Sequence, residues 1–160
     1  MKPKPVQKKP LKSRFNMAAG LLSTEEANAI VAAIALAEKE TSGEIRIHME
    51  NYCRGNVLER AVALFGQLGM HNTIAHNGVI IYIAVKDRKV AIYGDKGIHE
   101  QVHDDFWQAE IQTILTHFRE KKYKDGLIKV VEDVGEKLRH FFPYHADDSN
   151  ELSNDISYGN

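Results

Sequence analysis

Apolar positions along the chain follow two periods. Asn77–Val85 reads NGVIIYIAV, a continuous apolar run that predicts a strand buried on both faces. Glu44–Met49 alternates, with Ile45, Ile47 and Met49 on one side and Glu44, Arg46 and His48 on the other, which predicts a half-buried strand. The polar link Lys86-Asp87-Arg88 followed by KVAIY predicts a hairpin. Elsewhere the spacing is helical. Ser23-Thr24-Glu25-Glu26 is a capping-box pattern, and the helix it opens carries Ile30, Val31 and Ile34 and ends near Thr41-Ser42-Gly43. Asn56, with Glu59 three residues on, caps a second helix built on Leu58, Val62, Phe65 and Leu68 that stops at Gly69. A third opens after Gly94 and Gly97, carries Ile98, Val102, Asp104 and Asp105, and runs to about Lys121 on a stripe through Trp107, Ile111, Ile114, Leu115 and Phe118. A fourth places Leu127, Val131, Val134, Leu138 and Phe141 on one face, and Pro143 ends it.

The order helix, strand, helix, strand, strand, helix, helix restricts the topology. Two strands joined through a helix run parallel, and the hairpin makes the third antiparallel to the second. Helices must cover both faces of the buried strand. The expected fold is therefore α/β: a three-layer α/β/α sandwich around a small mixed sheet, with a parallel βαβ unit and an antiparallel hairpin. One domain is expected over residues 18–143. Residues 1–17 hold Lys2, Lys4, Lys8, Lys9, Lys12 and Arg14 without an acid. Residues 144–160 hold Asp147, Asp148, Glu151 and Asp155 without a lysine or arginine. Both ends are expected to be disordered, solvated tails.

Composition narrows the function classes. A length of 160 residues with 43% hydrophobic and 27% charged positions is ordinary for one globular domain. A net charge of −1 argues against broad nucleic-acid or acidic-membrane binding. No apolar segment has the length of a membrane span, and the N-terminus lacks a signal-peptide run. The single cysteine, Cys53, excludes an internal disulfide and suits a reducing compartment, so a cytoplasmic location is expected.

The topology also sorts the acids. Glu44 begins the first strand, Asn77 precedes the second and Asp95 follows the antiparallel third, so all three belong to one end of the sheet. The third helix starts there with Glu100, Asp104 and Asp105. Oxygen donors converging on a glycine-containing loop are what calcium or magnesium requires. Asp87 in the hairpin lies at the opposite end with Glu50, Asn51 and Arg54. That end is the one where open α/β sheets usually bind ligands, but the acid count favours the first. Ordinary roles compete at each position: Asp104 and Asp105 suit a helix start, and Asp87 suits a tight turn.

Two motifs offer other chemistry. His99-Glu100-Gln101-Val102-His103 spells the zinc-peptidase signature and supports a zinc-hydrolase alternative, although Asp104 and Asp105 follow it at once. Cys53-Arg54-Gly55-Asn56 with Arg60 approximates a cysteine-phosphatase loop, but the arginine is displaced by one residue and only one glycine is present.

Ser42-Gly43-Glu44-Ile45, the helix around Ala61–Phe65, Asn77-Gly78-Val79, Asp87-Arg88-Lys89-Val90, Gly97-Ile98, Asp104, Phe118 and Gly126-Leu127 together resemble the TPM domain family. This family is shared by a thylakoid phosphatase, a photosystem II repair protein and a worm receptor-associated protein, and the resemblance covers about residues 42–142. It implies an α/β/α sandwich, divalent-cation binding in a surface crevice and, from plant members, phosphatase activity. By position, Asp104, Asp87 and Glu44 match the family's acids. The usual threonine-glycine-aromatic-glycine turn reads Gly94-Asp95-Lys96-Gly97 here, which makes Asp95 an added acid. The expected function is a calcium- or magnesium-binding domain that supports at most weak metal-assisted phosphomonoester hydrolysis. Its candidate ligands are Glu44, Asp87, Asp95, Asp104 and Asp105. The expected partners are the cation and either a phosphorylated small molecule or a protein; a non-catalytic interaction module is the main alternative.

Overall fold

The computed structural model describes residues 17–144 and 153–159. The elements in chain order are α1 (Met17–Gly20), α2 (Thr24–Glu38), β1 (Glu44–Glu50), α3 (Val57–Gln67), β2 (Gly78–Ala84), β3 (Lys89–Gly94), α4 (Lys96–His99), α5 (Asp104–Arg119), α6 (Tyr123–Phe141) and β4 (Ser157–Tyr158). The helix starts are chemically set as expected. Ser23 Oγ accepts from Glu26 N while Glu26 Oε1 accepts from Ser23 N, and Asn56 Oδ1 accepts from Glu59 N.

The sheet has the order β3-β2-β1-β4. β1 and β2 run parallel from Glu44 beside Gly78 to Glu50 beside Ala84, and β2–β3 is the antiparallel hairpin. The side-chain alternation of this register separates two cores. Ile45, Ile47, Val79, Ile81, Ile83 and Ile92 face α2, α5 and α6. Ile80, Tyr82 and Ala91 face Ala61, Leu64 and Phe65 of α3. β2 is therefore covered on both sides, as its uninterrupted apolar sequence requires.

Three expectations are corrected. The polar side of β1 is buried rather than solvated: Glu44, His48 and Glu50 are all 5% exposed or less. Residues 144–160 are not uniformly a solvated tail, since β4 pairs parallel with β1 at His48 and Met49. Gly159 N adds a 2.8 Å bond to Met49 O. A two-residue strand in a polar segment leaves no periodic pattern to read. The predicted third helix is two, α4 and α5, separated by Glu100–His103. Of the basic tail, only Met17, in α1, falls within the described residues.

One glycine positions the β1 end of the sheet. A Cβ on Gly43 would lie 2.7 Å from a Leu138 methyl, so any side chain there would force the Leu138 side chain to shift.

Candidate functional site

The leading end of β1 is held by the loop before it. Thr41 Oγ1 reaches the Leu138 carbonyl at 3.0 Å and also contacts that of Phe142, while Ser42 N donates to Phe142 O at 3.0 Å. These bonds fix the α2–β1 loop to the C-terminus of α6. Asn77 Nδ2 then donates to Ser42 Oγ at 3.1 Å, tying the start of β2 to the same loop. Asn77 is 1% exposed, and its Oδ1 is buried without a hydrogen-bond partner among the described residues.

Two acids meet at this end. Glu38, the last residue of α2, accepts Ile45 N on Oε2 at 2.7 Å. Burial pushes its carboxyl up to about 8 despite that bond, and the neighbouring Glu44 charge pushes in the same direction. Glu44 itself is 3% exposed. Glu38 was not among the sequence candidates. It lies on a helix, six residues before the strand acid, and only the loop folding back brings the two together.

The other predicted ligands are distributed around the molecule. Asp95 is the N-cap of α4, with Oδ1 accepting Lys96 N at 2.8 Å and Oδ2 lying 3.3 Å from His76 Nδ1. Asp104 and Asp105 are exposed in the first turn of α5. Asp87 accepts Cys53 N at 2.7 Å, at the other end of the sheet. Among the described residues no three His, Cys, Asp or Glu side chains gather closely enough to hold one metal ion. Glu44, Asp95, Asp104 and Asp105 form no such group among the described residues. Topology brought these acids to one end of the sheet, but Asp95 caps α4 while Asp104 and Asp105 stand exposed in the first turn of α5.

At the trailing end of β1 a buried ionic network has formed that the sequence reading did not assemble. Arg60 of α3 grips Glu50 with two bonds of 2.9 Å, from Nε to Oε2 and from the terminal nitrogen to Oε1. Tyr82 Oη donates to Oε2, and His48 Nε2 lies 3.4 Å from Oε1. Burial alone would raise the Glu50 carboxyl, but the bonds from Arg60 and Tyr82 outweigh it and hold it below the usual carboxylate range. Burial pushes His48 below its ordinary value against the pull of Glu50. Its Nδ1 meets Ser157 Oγ of β4 at 2.8 Å, so the C-terminal segment closes the network. The arginine of the phosphatase-like string is thus committed to a carboxylate, and Cys53 is buried. A signal existed: Glu50 and Arg60 follow a strand and start a helix that the topology must place side by side.

The zinc-peptidase string also dissolves. His99 ends α4, whereas His103 is the N-cap of α5, so the two are not one turn apart on a continuous helix. A second acid missed from the sequence is Glu110 on α5, 6% exposed and pushed up to about 8 by burial and by the neighbouring Asp133.

A four-stranded mixed sheet with α3 on one face and α2, α5 and α6 on the other, polar at both strand ends, defines a small α/β/α sandwich. The chain belongs to the TPM domain family, whose sequence model matches residues 15–137. Among solved structures it is similar to the BA42 protein from the psychrophilic bacterium Bizionia argentinensis. The identity is 47% and the TM-score 0.80, over 86% of this chain and 95% of that one. The fold is shared with the N-terminal domain of a P. gingivalis protein at 21% identity and TM-score 0.66, over 79% of this chain and 83% of that one. It is shared too with the N-terminal domain of cg2496 from Corynebacterium glutamicum at 18% identity and TM-score 0.59, over 74% and 75%. No curated protein matches the chain.

Proposed function

We propose that this TPM domain binds one divalent cation at the leading end of β1, through Glu38 and Glu44, with water completing the shell. The observation that carries this reading is the placement of Glu38, bonded to Ile45 N and set beside the buried Glu44. Burial and the neighbouring Glu44 charge both disfavour the ionised Glu38 carboxylate, and a cation bound there would offset both. A site of one or two carboxylates that retains several waters suits magnesium better than calcium, which takes more protein oxygens. Asn77 Oδ1 adds an unpartnered neutral oxygen at the same end, since Asn77 O accepts Glu44 N. Asp95, Asp104 and Asp105 are the remaining acids of that end, and Asp87 has no part in it.

A bound ion of this kind polarises a phosphoryl oxygen and acidifies a water. The residues at this end hold and orient, so phosphomonoester hydrolysis would be limited to what the ion contributes. A non-catalytic interaction role is the second reading, because the β1 edge accepts an extended segment in β4.

Calorimetric titration with magnesium and calcium chloride tests the first reading. The expected result is one ion per chain, with affinity rising as pH approaches about 8 and Glu38 gives up its proton. Glu38→Gln and Glu44→Gln should each remove most of the heat. Absence of heat with both ions, or unchanged binding in the double variant, would sink the proposal.

A further inference from the structure

Beyond the trailing end of β2, on the α5–α6 face, the surface opens into a cleft of about 680 Å³, within the range that small-molecule sites occupy. Its apolar lining comes from Ile83, Val85 and Val90 of the hairpin, Leu115 and Phe118 of α5, and Met17 of α1. Ala84, Tyr123 and three cations, Arg88, Arg119 and Lys121, complete the lining, which contains no acid. Among the described residues none of the three forms an ion pair.

Two of these cations occupy backbone positions that suit glycine. Lys121 has φ 61° and sits just past the end of α5 in a Schellman arrangement, with Lys122 N on His117 O at 2.8 Å and Lys121 N on Phe118 O at 3.0 Å. Arg88 has φ 55° and closes the hairpin turn, its N reaching Val85 O at 3.4 Å. Glycine takes this conformation without steric cost, whereas other residues held in it are strained and tend to cluster at ligand clamps. Among the described non-glycine residues only His76 shares this conformation, and it lies at the other end of the sheet. Cations in the last turn of a helix complement its dipole, which accounts for Arg119 and in part for Lys121. That explanation does not reach Arg88, which is on the hairpin.

We propose that the cleft binds a single-chain amphipathic anion, its aliphatic chain against the apolar lining and its carboxylate or phosphate on Arg88, Arg119 and Lys121. Charge selects this occupant over the chain's own N-terminal segment. Residues 1–16, which lead into Met17, carry six Lys and Arg and no acid, so they oppose a cationic rim. The proposal is independent of the Glu38–Glu44 reading, and the failure of either leaves the other intact.

The test is an NMR titration of the full-length, methyl-labelled chain with dodecyl phosphate and dodecanoate below their micellar concentrations. Inorganic phosphate and neutral dodecanol serve as controls. Saturable shifts are expected at the methyls of Ile83, Val90 and Leu115, with the controls about tenfold weaker or more. Tighter binding of one anion identifies its head group as the preferred one. Arg88→Gly and Lys121→Gly remove a cation while relieving the backbone. Each should lower affinity by about tenfold while leaving the melting temperature equal or higher. The proposal is overturned if neither anion moves these methyls, if dodecanol binds as tightly, or if both glycine variants retain full affinity.

Discussion

Glu50 is 1% exposed and keeps its charge because Arg60 and Tyr82 surround its oxygens. Removing one partner from such a pair costs more than the pair contributes, because a buried charge is left behind. The Arg60 side chain is 34% exposed, so water can enter where the guanidinium stood. Arg60→Ala is therefore expected to cost about 2–3 kcal/mol, below the full range for buried pairs. Tyr82→Phe removes one donor and should cost about 1–2 kcal/mol. Urea denaturation of the two variants checks both the sizes and their order. This network also marks where the sequence stopped being legible. Alternation in Glu44–Met49 correctly divided the strand into two sides. It carried no information on what covers the polar side, because Arg60 comes from another helix and Ser157 from the far end of the chain.

At the scale of elements, period and capping chemistry located β1, β2, β3 and most of the helical residues, since each is long enough to repeat its pattern. The failures are short or unpunctuated. The break between α4 and α5 has no glycine or proline to announce it, and β4 has too few residues for any period to show. β4 nevertheless packs closely: a Cβ on Gly159 would lie 2.3 Å from Glu50 Oε1. Gly159→Ala is expected to free β4 from the β1 edge and speed hydrogen exchange at the β1 amides beside it. The melting temperature should barely change, because the strand contributes only two residues of pairing. Exchange rates unchanged from the parent would show that β4 tolerates the clash. At the opposite end, Gly43→Ala puts a methyl 2.7 Å from a Leu138 methyl and should cost about 1–3 kcal/mol. Combining it with Leu138→Ala should cost less than the sum of the two single changes, which thermal unfolding of the three variants can establish.

For the whole molecule, the topology was legible because crossover and hairpin rules leave few alternatives for seven elements. The placement of the acids was less so, since strand ends bring acids to one side of a protein without aiming them at a common point. What the molecule does have is two acids, Glu38 and Glu110, whose carboxyls stand at about 8 in the fold against an ordinary 4.5. A folded-state value above the unfolded one means that the native state binds the proton more tightly. The associated stability is complete below pH 4.5 and is lost as pH rises through about 8. Glu50 and His48 act in the opposite sense, their depressed values adding stability that disappears as pH falls through the acid range. Stability should therefore peak in mildly acid solution and fall between pH 6.5 and 8 by roughly 2 kcal/mol per pH unit, half of it from each acid. Denaturant titrations across that window should give the slope, and Glu110→Gln should reduce it to the part due to Glu38. Magnesium then tests whether a cation can take the place of the proton on Glu38. If the ion binds there, saturating magnesium should flatten the remaining slope, because the native state no longer has to hold the proton. A slope in Glu110→Gln that is indifferent to magnesium would count against a cation at Glu38.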